Sequence, residues 1–194
     1  MRKNLRKREN VIIFAGKTPR LMRQRNQIEA TAATGGCAEQ NVKQAFSRLA
    51  SLCARREYCQ HDMQEKMRQW GVPEEEQAQV MQQLTEGRYV DDERFARAFV
   101  DDKVRYGKWG RRKIEQALWM KRIDEGIAGS VLDEVDDEEY LAVLRPQVKQ
   151  KLSTTHAASD YELRMKVTKW AIGRGYTMDL IRQCLDTPEV PDFP

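Results

Sequence analysis

From Glu39 onward the apolar residues of this chain recur at spacings of three and four, and the two-residue alternation of a half-buried strand is nowhere sustained. That pattern predicts an all-α protein built from short helices. Pro73, followed by Glu74, Glu75 and Glu76, suits a first helical turn, where the missing N–H costs nothing and carboxylates meet the positive end of the helix dipole. Gly71 and Gly87 suit helix ends that need a left-handed residue, and Gly107 and Gly110 flank Lys108-Trp109 in a tight connection.

The pattern repeats along the chain. Met63, Met67, Val72, Val80 and Leu84 match Ile114, Leu118, Ile123, Val131 and Val135, each 51 positions later. A looser third copy sets Val167, Ala171, Tyr176 and Cys184 at 53 positions beyond Ile114, Leu118, Ile123 and Val131, and the longer loop "STTHAASD" accounts for the shift. Each copy reads as a long helix, a second helix, a turn near a small or basic residue, and a third helix. The expected organisation is three tandem three-helix repeats at 39–89, 90–135 and 136–187, with a basic arm at 1–38 and a short tail at 188–194. A set of about 45 residues buries little apolar surface alone, so neighbouring sets are expected to support one another.

The string "VDDE" occurs at Val90–Glu93 and again at Val135–Glu138, each time with an aromatic residue two positions later. Two adjacent aspartates could hold a metal or form a catalytic pair, but a feature used twice in a repeat reads better as a helix start. Asp91 and Asp136 are the expected caps, accepting from first-turn amides for about 1 kcal/mol each. Val90 and Phe95, and likewise Val135 and Tyr140, stand at the spacing of a hydrophobic staple.

Charge changes the picture once it is divided along the chain. The 194 residues carry 34 Lys/Arg against 30 Asp/Glu, a net +4, yet residues 1–36 alone hold nine Lys/Arg against Glu9 and Glu29. The basic excess lies in the N-terminal arm. Its composition also suits an organelle transit peptide, but without sustained periodicity it reads as a flexible basic arm. "VIIFAG" (11–16) is too short for a signal or a membrane span, which leaves a cytoplasmic protein. The four cysteines lack paired spacing, and Cys59 with His61 has no second ligand pair, so no metal is expected and the thiols read as reduced.

The most polarised stretch is Lys103–Arg122, with eight basic residues against Glu115. Interleaved Tyr106, Trp109 and Trp119 make it a candidate for phosphate contact and base stacking. With Ile114 at the centre of a buried face, Leu118 and Ala117 turn inward while Arg112 and Trp119 turn outward. Trp109, in the turn, fits the core better. The candidate partner- or nucleic-acid-binding residues are Lys103, Arg105, Lys108, Arg111, Arg112, Lys113, Trp119 and Arg122. No glycine-rich phosphate loop, nucleophile elbow or paired-histidine motif is present, and neither a catalytic residue nor a cofactor is expected.

"EGRYVDDERFARAFVDDKVRYGKWGRRKIEQAL" (86–118) resembles the signature block of the RecX regulatory proteins, and "LCARREYCQHDMQEKMRQWGV" (52–72) and "GRGYTMDLIRQCL" (173–185) fit their flanking sets. The resemblance covers about residues 40–187; Trp119 stands where a basic or polar residue is more usual. It implies an elongated, curved array of three-helix modules, monomeric, that lies in the groove of the RecA recombinase filament on single-stranded DNA. It also implies that assembly, ATP hydrolysis and strand exchange are modulated, with inhibition the expected direction. Direct contact with single-stranded or double-stranded DNA would run through the basic patch. Two other classes stay open from the residues alone: a helix-turn-helix-like transcription regulator, and a purely structural adaptor.

Overall fold

The computed structural model describes residues 38–186; the arm at 1–37, Cys37 and the tail at 187–194 lie outside the described residues. Within them every regular element is a helix: α1 (38–53), α2 (Gln60–Gln69), α3 (Glu74–Glu86), α4 (Asp92–Arg105), α5 (Arg111–Met120), α6 (Glu125–Asp133), α7 (Asp137–Thr154), α8 (Asp160–Gly173) and α9 (Met178–Asp186). They form three tandem three-helix repeats, and the periodic residues are what hold them together. Met63, Met67, Val80 and Leu84 are fully buried in one core, and Ile114, Leu118, Val167 and Ala171 are fully buried in another. Val72, Val135 and Cys184 pack against those cores as half-buried residues. The second core runs without a break through the second and third repeats, because α4 packs on α7 as well as on α6.

The first "VDDE" performs three tasks. Asp91 Oδ1 accepts from the backbone N–H groups of Glu93 and Arg94, both at 3.0 Å. Asp92 instead reaches back to the start of α2, accepting from Gln60 N at 2.8 Å and Gln60 Nε2 at 3.2 Å, and burial pushes its carboxyl above the ordinary range. Val90 enters the first core and Phe95 the second, so these two residues divide between cores and do not staple to each other. The second "VDDE" differs. Asp136 occupies the cap position of α7, but only its backbone carbonyl accepts, from Glu139 N at 3.1 Å and Tyr140 N at 3.4 Å; its carboxylate makes no cap bond. The expected side-chain cap at Asp136 is therefore corrected. Its carboxylate already sits among Asp137, Glu138 and Glu139, where turning a further negative charge inward gains little. Asp124 makes such a cap instead, at the start of α6, accepting from Gly126 N and Ile127 N.

Gly71 is left-handed as the sequence suggests, but at two other turns the left-handed residue falls one position after the glycine. After α3 the backbone turns at Arg88 (φ 54) and Gly87 stays right-handed (φ −76); between Gly107 and Gly110 it turns at Lys108 (φ 55). At the turn between second and third helices the repeat is strict. Gly71, Arg122 and Gly175 are equivalent by the 51- and 53-residue offsets, and their φ values are 71, 55 and 90.

The repeats join through one contact used twice. Cys59 and Gly110, equivalent by the 51-residue offset, enter α2 and α5 with nearly the same backbone, φ −85 and ψ 164 against φ −83 and ψ 164. Each rests on the turn of the following repeat. The Cys59 thiol donates to Lys121 O at 3.9 Å, and Gly110 N donates to Arg174 O at 2.9 Å, Lys121 and Arg174 being equivalent by the 53-residue offset. Burial pushes the Cys59 thiol up to about 11, so it is an inert packing group at neutral pH.

One buried group works against stability. Tyr140 is 2% exposed, its Oη has no hydrogen-bond partner, and burial pushes its phenol up to about 12. Tyr140→Phe removes the orphaned hydroxyl and is expected to leave stability unchanged or raise it by about 1 kcal/mol, measured by urea unfolding. A loss of 1 kcal/mol or more would show that the hydroxyl is satisfied in solution.

Candidate nucleic-acid interface on the middle repeat

Helix α5 owes its orientation to Ile114 and Leu118, both fully buried, which turn Arg112, Glu115, Trp119 and Met120 outward. Trp119 is 76% exposed, far more than any core role allows. Arg112 and Trp119 lie seven residues apart, which on an α-helix places them within about 20° of one another on the same face and about 10 Å along it. Trp109, by contrast, packs against the second core.

The seven candidate cations fall into two groups. Three are already committed. Arg111 donates from Nη1 to Leu132 O at 2.9 Å and from Nη2 to Asp133 Oδ1 at 2.5 Å, clasping the start of α5 to the end of α6. Arg105 pairs with Asp101 at 2.6 Å along α4. Lys103 bonds Asp102 at 2.6 Å and lies 5.0 Å from the Phe99 ring and 5.5 Å from the Trp109 ring. The other four cations, Lys108, Arg112, Lys113 and Arg122, have no carboxylate partner among the described residues; Lys113 rests 4.3 Å over the Trp109 ring. Uncommitted positive charge therefore gathers at the two ends of α5, with Trp119 exposed between them.

Lys121 marks the same division in the neighbouring contact. It reaches both carboxylate oxygens of Asp62 at 3.0 Å, tying the first repeat to the second. The fold also does something the linear sequence hides. It carries Lys151, Trp170 and Arg174 of the third repeat to Lys108, where they line one cleft. The 53-residue offset relates Arg174 to Lys121, but no sequence spacing relates it to Lys108. Among the described residues no group of His, Cys, Asp and Glu is arranged to hold a metal, and no helix is long and apolar enough to cross a membrane.

Residues 91–132 match the model of the second three-helix domain of RecX, and residues 137–185 match that of the third. The regulatory protein RecX of Acinetobacter baylyi is 30% identical over 135 residues, which span 70% of this chain and 82% of that one. The chain belongs to the RecX family. The regulatory protein RecX of Chromobacterium violaceum is 28% identical over 151 residues, 78% of this chain and 95% of its own. Two solved structures share the fold: RecX from Lactobacillus salivarius, with a TM-score of 0.69 at 15% identity over 76% of this chain and 96% of that one, and a further regulatory protein RecX at 0.72 and 19% over 82% and 78%. Both structural matches are of the same helical repeat array. The relatives in this RecX family are named as regulatory proteins, so the question for the α5 surface is what it contacts.

Proposed function

We propose that this chain is a non-enzymatic regulator of homologous recombination and DNA repair, which binds the RecA filament on single-stranded DNA and inhibits its assembly, ATP hydrolysis and strand exchange. The observation that supports this reading is the uncommitted surface of α5, where Arg112, Arg122 and Trp119 are exposed and the two arginines have no carboxylate partner among the described residues. An array of small helical modules with such a face gains affinity by spreading contacts along an extended polymer. A protein that binds one filament state more tightly shifts the assembly equilibrium without chemistry. The transcription-regulator reading is weaker, since α6, the third helix of the middle repeat, has no Lys or Arg between Glu125 and Asp133 to face DNA.

The test is RecA ATP hydrolysis on single-stranded DNA with this protein at substoichiometric amounts. The native chain is expected to lower the rate, and Arg112→Glu with Trp119→Ala is expected to need at least about tenfold more protein for the same effect, reflecting at least 1.4 kcal/mol of lost binding. Circular dichroism should show the variant as helical as its parent, because neither side chain is buried. Undiminished inhibition by the variant removes the α5 surface from the mechanism. No effect of the native chain on hydrolysis overturns the reading itself.

A further inference from the structure

We propose that the cleft between the middle and third repeats is a backbone-phosphate subsite for single-stranded nucleic acid, with Lys108, Lys151 and Arg174 as the phosphate-binding cations and Trp170 as the wall for an adjoining base. The proposal rests on the nucleic-acid contact in the reading above and adds to it a site on residues of another repeat.

The cleft encloses about 300 Å³ and is lined from three directions: Lys108 from the turn before α5, Gln150, Lys151 and Thr154 from α7, and Trp170 and Arg174 from α8 and its end. No Asp or Glu lines it, and none of the three cations has a carboxylate partner among the described residues; Arg174 makes only a ring contact, 5.5 Å from the centre of Trp170. Three like charges brought together without a counter-charge repel one another, so an anion that enters relieves a strain already present in the fold.

The junction itself does not require these cations, as the molecule's own second copy of it makes clear. By the repeat offsets Lys108 corresponds to Glu57 and Arg174 to Lys121. Glu57 and Lys121 line the cleft between the first and middle repeats, where Lys121 is neutralised by Asp62 and Glu57 accepts from Arg94 at 2.8 Å. The same joint is thus internally neutral in one place and wholly cationic in the other. The cationic version also adjoins the α5 surface, since Arg112 N donates to Gly175 O at 3.1 Å. An acidic protein segment would share the charge complementarity, but the aromatic wall and the amide and hydroxyl groups of Gln150 and Thr154 suit a strand with phosphate, sugar and base together.

The test is fluorescence anisotropy of a labelled oligothymidylate with the full chain and no RecA, titrated across salt concentrations. Lys151→Ala with Arg174→Gln removes two phosphate contacts, which at about 0.7 counterions each should flatten the log–log salt slope by about 1.4 and weaken binding about 25-fold at 0.1 M salt. Lys151→Ala alone, on a helix that tolerates alanine, should give about half that change in slope, and guards against misfolding of the double variant. An abasic oligomer should bind the native chain more weakly than oligothymidylate, and Trp170→Leu should narrow that difference.

A native affinity and slope in the double variant, while Arg112→Glu still weakens binding, overturns the cleft and leaves the α5 surface standing. If the native chain binds no oligomer, the nucleic-acid contact beneath both is overturned. Competition by inorganic phosphate at constant ionic strength would assign the cleft to a free anion and overturn the strand. Oligomer binding kept while RecA inhibition is lost would assign it to an acidic protein surface, again against the proposal.

Discussion

Gly175→Ala is expected to destabilise the protein by about 3 kcal/mol and lower its melting temperature by about 6–12 °C. Two causes add. Gly175 has φ +90, a conformation costly for any residue with a Cβ, and that Cβ would stand 2.5 Å from the Lys113 backbone nitrogen and from Lys113 Cβ. The obstacle is the first turn of α5, which is held by Ile114 in the core and cannot retreat. Gly71 supplies the control. It holds the equivalent turn in the first repeat at φ +71, but nothing lies within 4 Å of its added Cβ, so Gly71→Ala should cost only the backbone term of about 1–2 kcal/mol. Thermal unfolding followed by circular dichroism separates the two. Equal losses would mean that the close approach between the middle and third repeats contributes nothing to stability.

The second large effect distinguishes two neighbours that look interchangeable in the sequence. Arg111→Ala is expected to cost about 2 kcal/mol, because it strips a charged donor from the Leu132 carbonyl at the end of α6; the Asp133 pair, which is largely exposed, adds little. Arg111→Lys should not restore it, since one ammonium cannot reproduce the fork that spans a carbonyl and a carboxylate. Arg112→Ala should change stability by less than about 0.5 kcal/mol, as its side chain is exposed and has no carboxylate partner among the described residues, while carrying the binding loss. Urea unfolding of the three variants checks this. A destabilised Arg112→Ala beside a native-like Arg111→Ala would reverse the division of roles.

That division shows where sequence reasoning stops. The eight-cation run between Lys103 and Arg122 is plain in the sequence, and the 3.6-residue period turns Arg112 and Trp119 outward as the structure has them. Which cations already have partners depends on Leu132, Asp133, Asp101 and Asp102, and the two partners of Arg111, Leu132 and Asp133, lie twenty-one and twenty-two residues away, beyond the reach of local helix spacing. Arg105 and Asp101 are four apart on one helix and could have been paired from spacing alone. The two "VDDE" strings carry the same lesson. Identical letters start a helix in both places, yet Asp91 caps with its carboxylate and Asp136 with its backbone only.

The sequence by itself determined that the chain is helical, that it repeats at 51 and 53 positions, and which residues of each repeat turn inward, because periodicity and apolar burial are properties of each helix and its immediate neighbours. It also marked the turn positions, although not which residue would become left-handed at Arg88 and Lys108. Tertiary structure alone decided that Val90 and Phe95 enter different cores, that the second and third repeats share one, and that Lys108 meets Lys151 and Arg174. The reason is that each of these depends on how one repeat is rotated against the next. The contacts made at those joints, the Cys59 thiol on Lys121 O and Gly110 N on Arg174 O, leave no trace in the hydrophobic period.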